Sequence, residues 1–315
     1  ESFKGGQSNP TYKLITPARN YVMRSKPGPV ARLQPSAHAI EREYRVIGAL
    51  GKAGLPVPEV YCLCDDESVI GRAFYVMQCM DGRVLWDQGL AGFANSERAA
   101  IYDEMNRVMA ALHNVDYTAA GLGDFGRPGN YFSRQIDRWM KQYKASESQV
   151  IPSMNRLTAF LPTSAPEDDK TSIVHGDYRL DNMVLHPTEP RVVAVLDWEL
   201  STLGNPMADF SYLLMHWVMP GAERASLSGI EDLKAWGIPT IEEVVEQYSG
   251  LTGRSGVPNL DWYFAYNLFR LAGICQGIVG RVRDGTAASA HAQTMEARVP
   301  ALADAALAFA IKAGA

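Results

Sequence analysis

The sequence predicts an α+β protein: a small lobe of strands with one helix, followed by a larger, mainly helical lobe that carries a β insert. Three observations predict it. Short β-prone runs gather before residue 81 around a glycine-rich turn. From residue 96 onward apolar residues recur at spacings of three and four, and only residues 173–198 break that pattern with strand-like runs. The length of 315 residues suits two lobes.

The elements follow in order. Residues 11–15 and 21–24 read as antiparallel strands behind Gly5-Gly6-Gln7-Ser8-Asn9-Pro10. Ser36 is placed to cap a helix in which Ala39, Glu43, Val46, Ile47 and Leu50 share a face, and Gly51 and Gly54 end it. Residues 57–63 and 73–80 complete the small sheet, and Met80-Asp81-Gly82-Arg83 is the expected link, giving lobes 1–81 and 82–315. Helices are expected over 96–113, 131–144 and 150–160. Strands 183–185 and 192–196 bracket a turn at His186-Pro187, and further helices cover 207–217, 240–248, 261–283 and 287–311.

Composition excludes several classes of function. An apolar content of 47% with 21% charged residues is too hydrophobic for a disordered chain. The net charge of −5, without a Lys/Arg block, lacks the footprint of a nucleic-acid binder. No apolar run reaches the ~18 residues that span a bilayer, so no membrane insertion is expected. Cys62, Cys64, Cys79 and Cys275 form neither a CxxC pair nor a framework, and read as buried thiols in a cytoplasmic setting. No signal peptide is visible, and the chain opens on Glu1 close to an apparent hairpin turn, so upstream sequence is expected.

The densest polar cluster is Val174-His175-Gly176-Asp177-Tyr178-Arg179-Leu180-Asp181-Asn182, followed by Val195-Leu196-Asp197-Trp198-Glu199. Apolar strands between them bring Asp197 to a strand end near the first loop, where Asn182 and Asp197 can converge on one cation. Hard oxygen ligands suit Mg²⁺, which takes its remaining ligands from water and substrate phosphates. The spacing from Asp177 to Asn182 is that of a kinase catalytic loop, and Asp197 falls where the metal-binding Asp of the DFG element stands, with Trp198 and Glu199 in place of Phe and Gly.

These strings resemble the aminoglycoside phosphotransferase and choline kinase superfamily, whose fold is protein-kinase-like and bilobal. Phe3-x-Gly5-Gly6-Gln7-Ser8-Asn9-Pro10-Thr11-Tyr12, Pro35-Ser36-Ala37-His38, Arg42-Glu43-Tyr44-Arg45-Val46 and Asp197-Trp198-Glu199-Leu200-Ser201-Thr202-Leu203-Gly204 extend the match over nearly the whole chain. Together they resemble the subgroup fused, in some animal proteins, to an acyl-CoA dehydrogenase.

The resemblance implies an ATP- and Mg²⁺-dependent kinase acting on the hydroxyl of a small molecule. Asp177 would be the catalytic base, Asn182 and Asp197 would bind Mg²⁺, and His175 would brace the loop. Gly5, Gly6, Gln7, Ser8 and Asn9 would cover the ATP phosphates, since glycine lets backbone N–H groups approach without a Cβ clash. Arg24, or alternatively Lys26, would stand where kinases carry the phosphate-pairing Lys, with Glu43 as its acid. The backbone of Gln78, Cys79 and Met80 would meet adenine. Arg179 could face an anionic acceptor or the γ-phosphate, or brace its loop by a salt bridge. Residues 262–270 read first as helix core, and the resemblance makes Tyr266, Asn267 and Arg270 candidates for the wall of the acceptor pocket. Asn205 departs from the family's usual Asp, and Asp209 reads as structural.

The acceptor expected from the subgroup is a hydroxyacyl-CoA or a related hydroxylated acid. An aminoglycoside is the alternative, disfavoured by the thin acidity of the C-terminal region, and a nucleotide-binding module without transfer activity is a second. Gly121-Leu122-Gly123-Asp124-Phe125-Gly126 matches a dinucleotide fingerprint, but it follows a helix and lies in no βαβ unit, so it reads as a loop. The remaining histidines lack metal spacing.

Overall fold

The computed structural model describes residues 1–3, 9–27, 40–167, 170–221, 225–285 and 292–315. The expected phosphate-covering residues Gly5, Gly6, Gln7 and Ser8 and the Ser36 cap lie outside them. Four antiparallel strands, β1 (Thr11–Leu14), β2 (Tyr21–Ser25), β3 (Val60–Cys64) and β4 (Phe74–Gln78), form a sheet in the order β1-β2-β4-β3. Helix α1 (Ile40–Lys52) buries Ile40, Val46, Ile47 and Leu50, and it packs on β3 and β4, whose Tyr75 and Met77 are also buried. β3 starts three residues later than the periodicity suggested, because Pro56 and Pro58 cannot donate to a ladder.

The chain divides into two compact units. The first gathers Glu1–Trp86, Gly92–Arg127 and Ser172–Leu203. Besides the sheet and α1 it holds α2 (Asn95–His113), β5 (Ser172–Val174) and the antiparallel pair β6 (Met183–Leu185) and β7 (Val192–Val195). A strand the periodicity does not show, β8 (Thr202–Gly204), pairs with β5. Tyr178, fully buried, donates its hydroxyl to Met105 O of α2 at 2.7 Å, which pins the loop after β5 to that helix. Tyr178→Phe is expected to cost about 1 kcal/mol in a denaturant titration, the net worth of one such bond, since the Met105 carbonyl keeps its place in the helix.

The second unit contains Asp87–Ala91, Pro128–Thr171 and Gly204–Ala315. Its helices are α3 (Tyr131–Ser146), α4 (Pro152–Phe160), α5 (Met207–Val218), the short α6 (Leu233–Trp236), α7 (Ile241–Thr252), α8 (Leu260–Arg283) and α9 (Ala292–Lys312). Pro152 opens α4 at the one helical place where a missing N–H is harmless. Thr240 and Glu243 close a reciprocal capping box on α7. Phe132 of α3 packs against Trp262, Tyr263 and Tyr266 of α8, with ring centroids 5.1–5.3 Å apart.

The cysteine expectation needs correcting. All four thiols are free, but Cys275 alone of them is buried; Cys62 is exposed, and Cys64 and Cys79 are half-buried. Cys62 and Cys64 sit on β3, which ends the sheet order among the described residues. None of the described helices is long and apolar enough to cross a membrane.

Candidate active site

The first unit brings together most of the polar residues singled out in the sequence. His175 follows β5, and its ring is fully buried against Trp198, 4.6 Å between centroids. Its Nε2 donates to Leu196 O at 2.8 Å, and its Nδ1 accepts the Asp177 N–H at 3.2 Å. A carbonyl can only accept and an amide N–H only donate, so the ring is neutral with its proton on Nε2. His175 therefore ties the Asp177 loop to the strand end that leads to Asp197. Gly176 makes the turn between them at φ +88, and a Cβ there would stand 2.8 Å from Leu200 O, so glycine is required twice over.

Asp177 Oδ2 accepts from Asn182 Nδ2 at 3.0 Å and from Arg179 Nε at 3.2 Å. Asn182 Nδ2 also donates to Asp177 O at 2.9 Å. Because the amide nitrogen is spoken for, Asn182 Oδ1 is the end left to accept from a ligand or coordinate a cation. The β6–β7 hairpin sets Met183 opposite Val195, and Leu196 N–H donates to Asn182 O at 2.8 Å. Asn182 is thereby paired with Leu196, the residue before Asp197.

Asp197 adopts the left-handed conformation, φ 66 and ψ 56, which costs a non-glycine residue about 1–2 kcal/mol. The strain is held by its surroundings: Trp198 Nε1 donates to Val195 O at 2.9 Å, and the Asp197 carboxylate, 37% exposed, meets Arg24 Nη2 at 2.7 Å. Arg24 leaves β2 toward α1, where Nη1 meets Glu43 Oε1 at 2.7 Å, and its Nη2 also reaches Glu199 Oε2 at 3.2 Å. One planar guanidinium joins three carboxylates, which a single ammonium does less well. Lys26 pairs instead with Glu41.

Electrostatics follow from burial. The Glu43 side chain is 1% exposed, and burial pushes its carboxyl up to about 7 against the pull of Arg24. Burial works to lower the Arg24 pKa, but Glu43 and Asp197 outweigh it and hold the guanidinium above its ordinary value. Asp181 is raised by burial, partly offset by Arg179. Burial also lifts the Tyr75 phenol well above its usual range.

The other expected residues are placed as follows. Asn9 is buried just ahead of β1, Gln78 closes β4, and Cys79 and Met80 follow it half-buried. Arg179 is engaged in its own loop, with Asp177 and with Asp181 at 3.1 Å. In the second unit Tyr266 is 2% and Asn267 0% exposed, so both are core residues of α8. Asn267 Nδ2 donates to Ser211 Oγ at 2.8 Å, and burial pushes the Tyr266 phenol up to about 12. Arg270 is half-buried between the rings of Tyr212 and Trp139, 5.0 and 5.6 Å from their centroids. Two members of the cluster escaped the sequence reading as site residues: Glu199, bonded to Arg24, and Tyr75, its cross-strand partner.

The residues suit a magnesium ion by the chemistry of their donors. Among the described residues no three His, Cys, Asp or Glu side chains cluster as a metal cage. One carboxylate and one amide oxygen at a partly open strand end are instead what an ion needs when phosphates and water complete its shell.

A family model described as "Phosphotransferase enzyme family" matches residues 1–243. The chain is 44% identical over 314 residues to acyl-CoA dehydrogenase family member 10 of Mus musculus, covering 99% of this chain and 29% of that protein. It spans between 29% and 39% of the length of the curated relatives it matches. A crystal structure of a putative aminoglycoside phosphotransferase from Ralstonia eutropha is 56% identical with a TM-score of 0.91, covering 99% of this chain and 92% of that one. A thermostable aminoglycoside phosphotransferase mutant, in ternary complex with ADP and hygromycin B, shares the fold at 14% identity and a TM-score of 0.64, over 100% of this chain and 94% of that one. The expected kinase-like arrangement, a small sheet region followed by a mainly helical one, is the fold observed.

Proposed function

This chain belongs to the phosphotransferase enzyme family, and from that premise we propose that it is an ATP- and Mg²⁺-dependent kinase acting on the hydroxyl of a small molecule. The observation that carries the reading is the hairpin mouth, where the Leu196 N–H to Asn182 O bond pairs Asn182 with the residue before Asp197 while Asn182 Nδ2 holds Asp177. The proposed base and the proposed metal ligands would thus be carried by one hairpin and the loop that leads into it.

In this reading Asp177 accepts the acceptor's hydroxyl proton and aligns its oxygen, while Arg179 and Asn182 fix the carboxylate's rotamer. Asn182 Oδ1 and Asp197 would hold Mg²⁺, which neutralises phosphate charge when bound. Arg24, tied to Glu43, would supply positive charge to the phosphates once its grip on Asp197 is shared. Residues 5–9 would cover the phosphates, and Gln78, Cys79 and Met80 would receive adenine. We keep the functional division at 1–81 and 82–315. Catalysis of this kind is mostly positioning and charge neutralisation.

We assign the acceptor to the hydroxyacyl-CoA class because a 44%-identical relative is named for acyl-CoA chemistry. The aminoglycoside alternative draws on the name of the Ralstonia eutropha protein. ATP consumption by purified protein against hydroxyacyl-CoAs, aminoglycosides, choline and sugars decides between them. Turnover with hydroxyacyl-CoA alone is expected, and turnover with aminoglycosides alone would replace that acceptor.

The metal assignment has its own readout. ATP with Mg²⁺ is expected to raise the melting temperature of the parent protein, and Asp197→Ala should lose most of the Mg²⁺-dependent part of that shift. An undiminished shift in the variant would remove Asp197 from the metal site.

A further inference from the structure

The loop Gly121-Leu122-Gly123-Asp124-Phe125-Gly126 has no part in the chemistry above, yet one face of α1 is devoted to it. We propose that this loop is a brace locking α1 against the turn that follows Asp197, and that Arg42 is the positioning residue through which it acts on the phosphoryl-transfer site. The consequence for catalysis rests on the phosphotransferase reading; the brace itself rests on geometry alone.

Arg42 Nη2 donates to Phe125 O at 2.7 Å, and its guanidinium carbon lies 4.2 Å from the centroid of the buried Phe125 ring. The same nitrogen stands 3.5 Å from Ser201 O, so one side chain spans loop and turn. Burial and the neighbouring Arg45 both lower the Arg42 pKa, so the ring and the carbonyls hold a cation that burial and a like charge disfavour. Arg45, one turn along α1, donates to Gly121 O at 2.7 Å and pairs with Asp124. At the far end of the loop a Cβ on Gly126 would stand 2.5 Å from Thr202 Oγ1 and 2.6 Å from Leu203 N. Glycine there lets the loop lie directly on β8 itself.

Between the two arginines in sequence sits Glu43, which faces the sheet and holds Arg24, and Arg24 holds Asp197 and Glu199. α1 also packs on residues Trp198–Leu200. A helix moves as a body, so fixing its Arg42 edge to residues 201–203 fixes the distance from Glu43 to Asp197. The ion-pair chain is closed from one side by Arg24 and from the other by Arg42 with the loop.

The test uses the whole chain in two variants, Arg42→Lys, which keeps the charge and loses the fork, and Gly126→Ala, which pushes the loop off Leu203. Hydrogen exchange of the nucleotide-free protein is read together with calorimetric affinities for ATP in Mg²⁺ and in EDTA. Exchange is expected to rise about fivefold, jointly in residues 40–47 and 198–203. Affinity for Mg²⁺-ATP should weaken about tenfold, while that in EDTA changes less than about twofold. Exchange that rises only within 121–126, or an unaltered Mg²⁺-ATP affinity in variants of a parent that binds it, overturns the brace. A parent that binds no nucleotide overturns the function instead, and exchange alone then decides the brace. Arg42→Lys suffices for every readout if Gly126→Ala does not fold.

Discussion

Asp177→Ala is expected to lower kcat for ATP-dependent phosphoryl transfer by about 10²- to 10⁴-fold, the range typical of a removed general base. The loss should fall on kcat, with nucleotide affinity changed little, because Arg24 on β2 and Asp197 after β7 keep their own contacts. Alanine also strips Asn182 and Arg179 of the oxygen they share, so it confounds chemistry with geometry. Asp177→Asn separates the two. Its amide oxygen can still accept from Asn182 Nδ2 and Arg179 Nε, so the loop stays braced, but it cannot take a proton. Steady-state kinetics with the acceptor identified by the substrate panel should show the Asn variant nearly as impaired as the Ala variant. An Asn variant within about tenfold of the parent would make Asp177 a brace and move the base elsewhere.

Why this site was readable in the sequence is a matter of range. The His175-Gly176-Asp177 turn, Asn182 five residues on, and Asp197 at the end of the returning strand are fixed by local geometry: a turn, a 3₁₀ step and a short hairpin. Spacing therefore carries their placement, and the roles proposed for them come from the family resemblance. Arg24 and Glu43 could be matched because strand alternation and helix periodicity each give a direction. Glu199 is different. Its link to Arg24 spans 175 residues and depends on the strained turn at Asp197, which no periodicity reports. Tyr75 enters the cluster through the β2–β4 register, Arg24 opposite Tyr75, and register is set by the assembled sheet.

The less legible parts of the fold fail for similar reasons. β8 is three residues long and ends in glycine, so it has no pattern of its own and exists because β5 offers a partner. α6 is a single turn held by Asp232, whose side chain accepts from Ala235 N. In α8 residues 262–269 are buried on every side, so a periodic pattern cannot separate a pocket-facing polar residue from a core one. Asn267 belongs to a segment that reads as helix core, with a place in the acceptor pocket wall implied only by the resemblance, and in three dimensions it is buried and bonds to Ser211 of α5.

Arg24→Met is expected to be the most destabilising change in the cluster, and to be so in a pH-dependent way. Glu43 would lose its cation while remaining almost fully buried, and breaking a buried pair from one side costs about 3–5 kcal/mol. The penalty is smaller where the carboxyl can take a proton. In the parent, burial already pushes Glu43 up to about 7 against the pull of Arg24, and without Arg24 the folded-state value moves higher still. A carboxyl raised in the folded state binds more protons folded than unfolded, so stability falls as pH rises from the ordinary carboxylate range through the folded-state value. The variant should therefore lose more of its melting temperature on going from pH 5 to pH 8 than the parent does. Arg24→Met combined with Glu43→Leu removes both charges and should recover much of the loss while remaining inactive, because an apolar pair can replace a buried ion pair in stability but not in charge. A double variant no more stable than Arg24→Met at pH 8 would show that Glu43 is not the group left stranded. In that case Asp197 and Glu199, crowded against each other without the guanidinium, would account for the destabilisation.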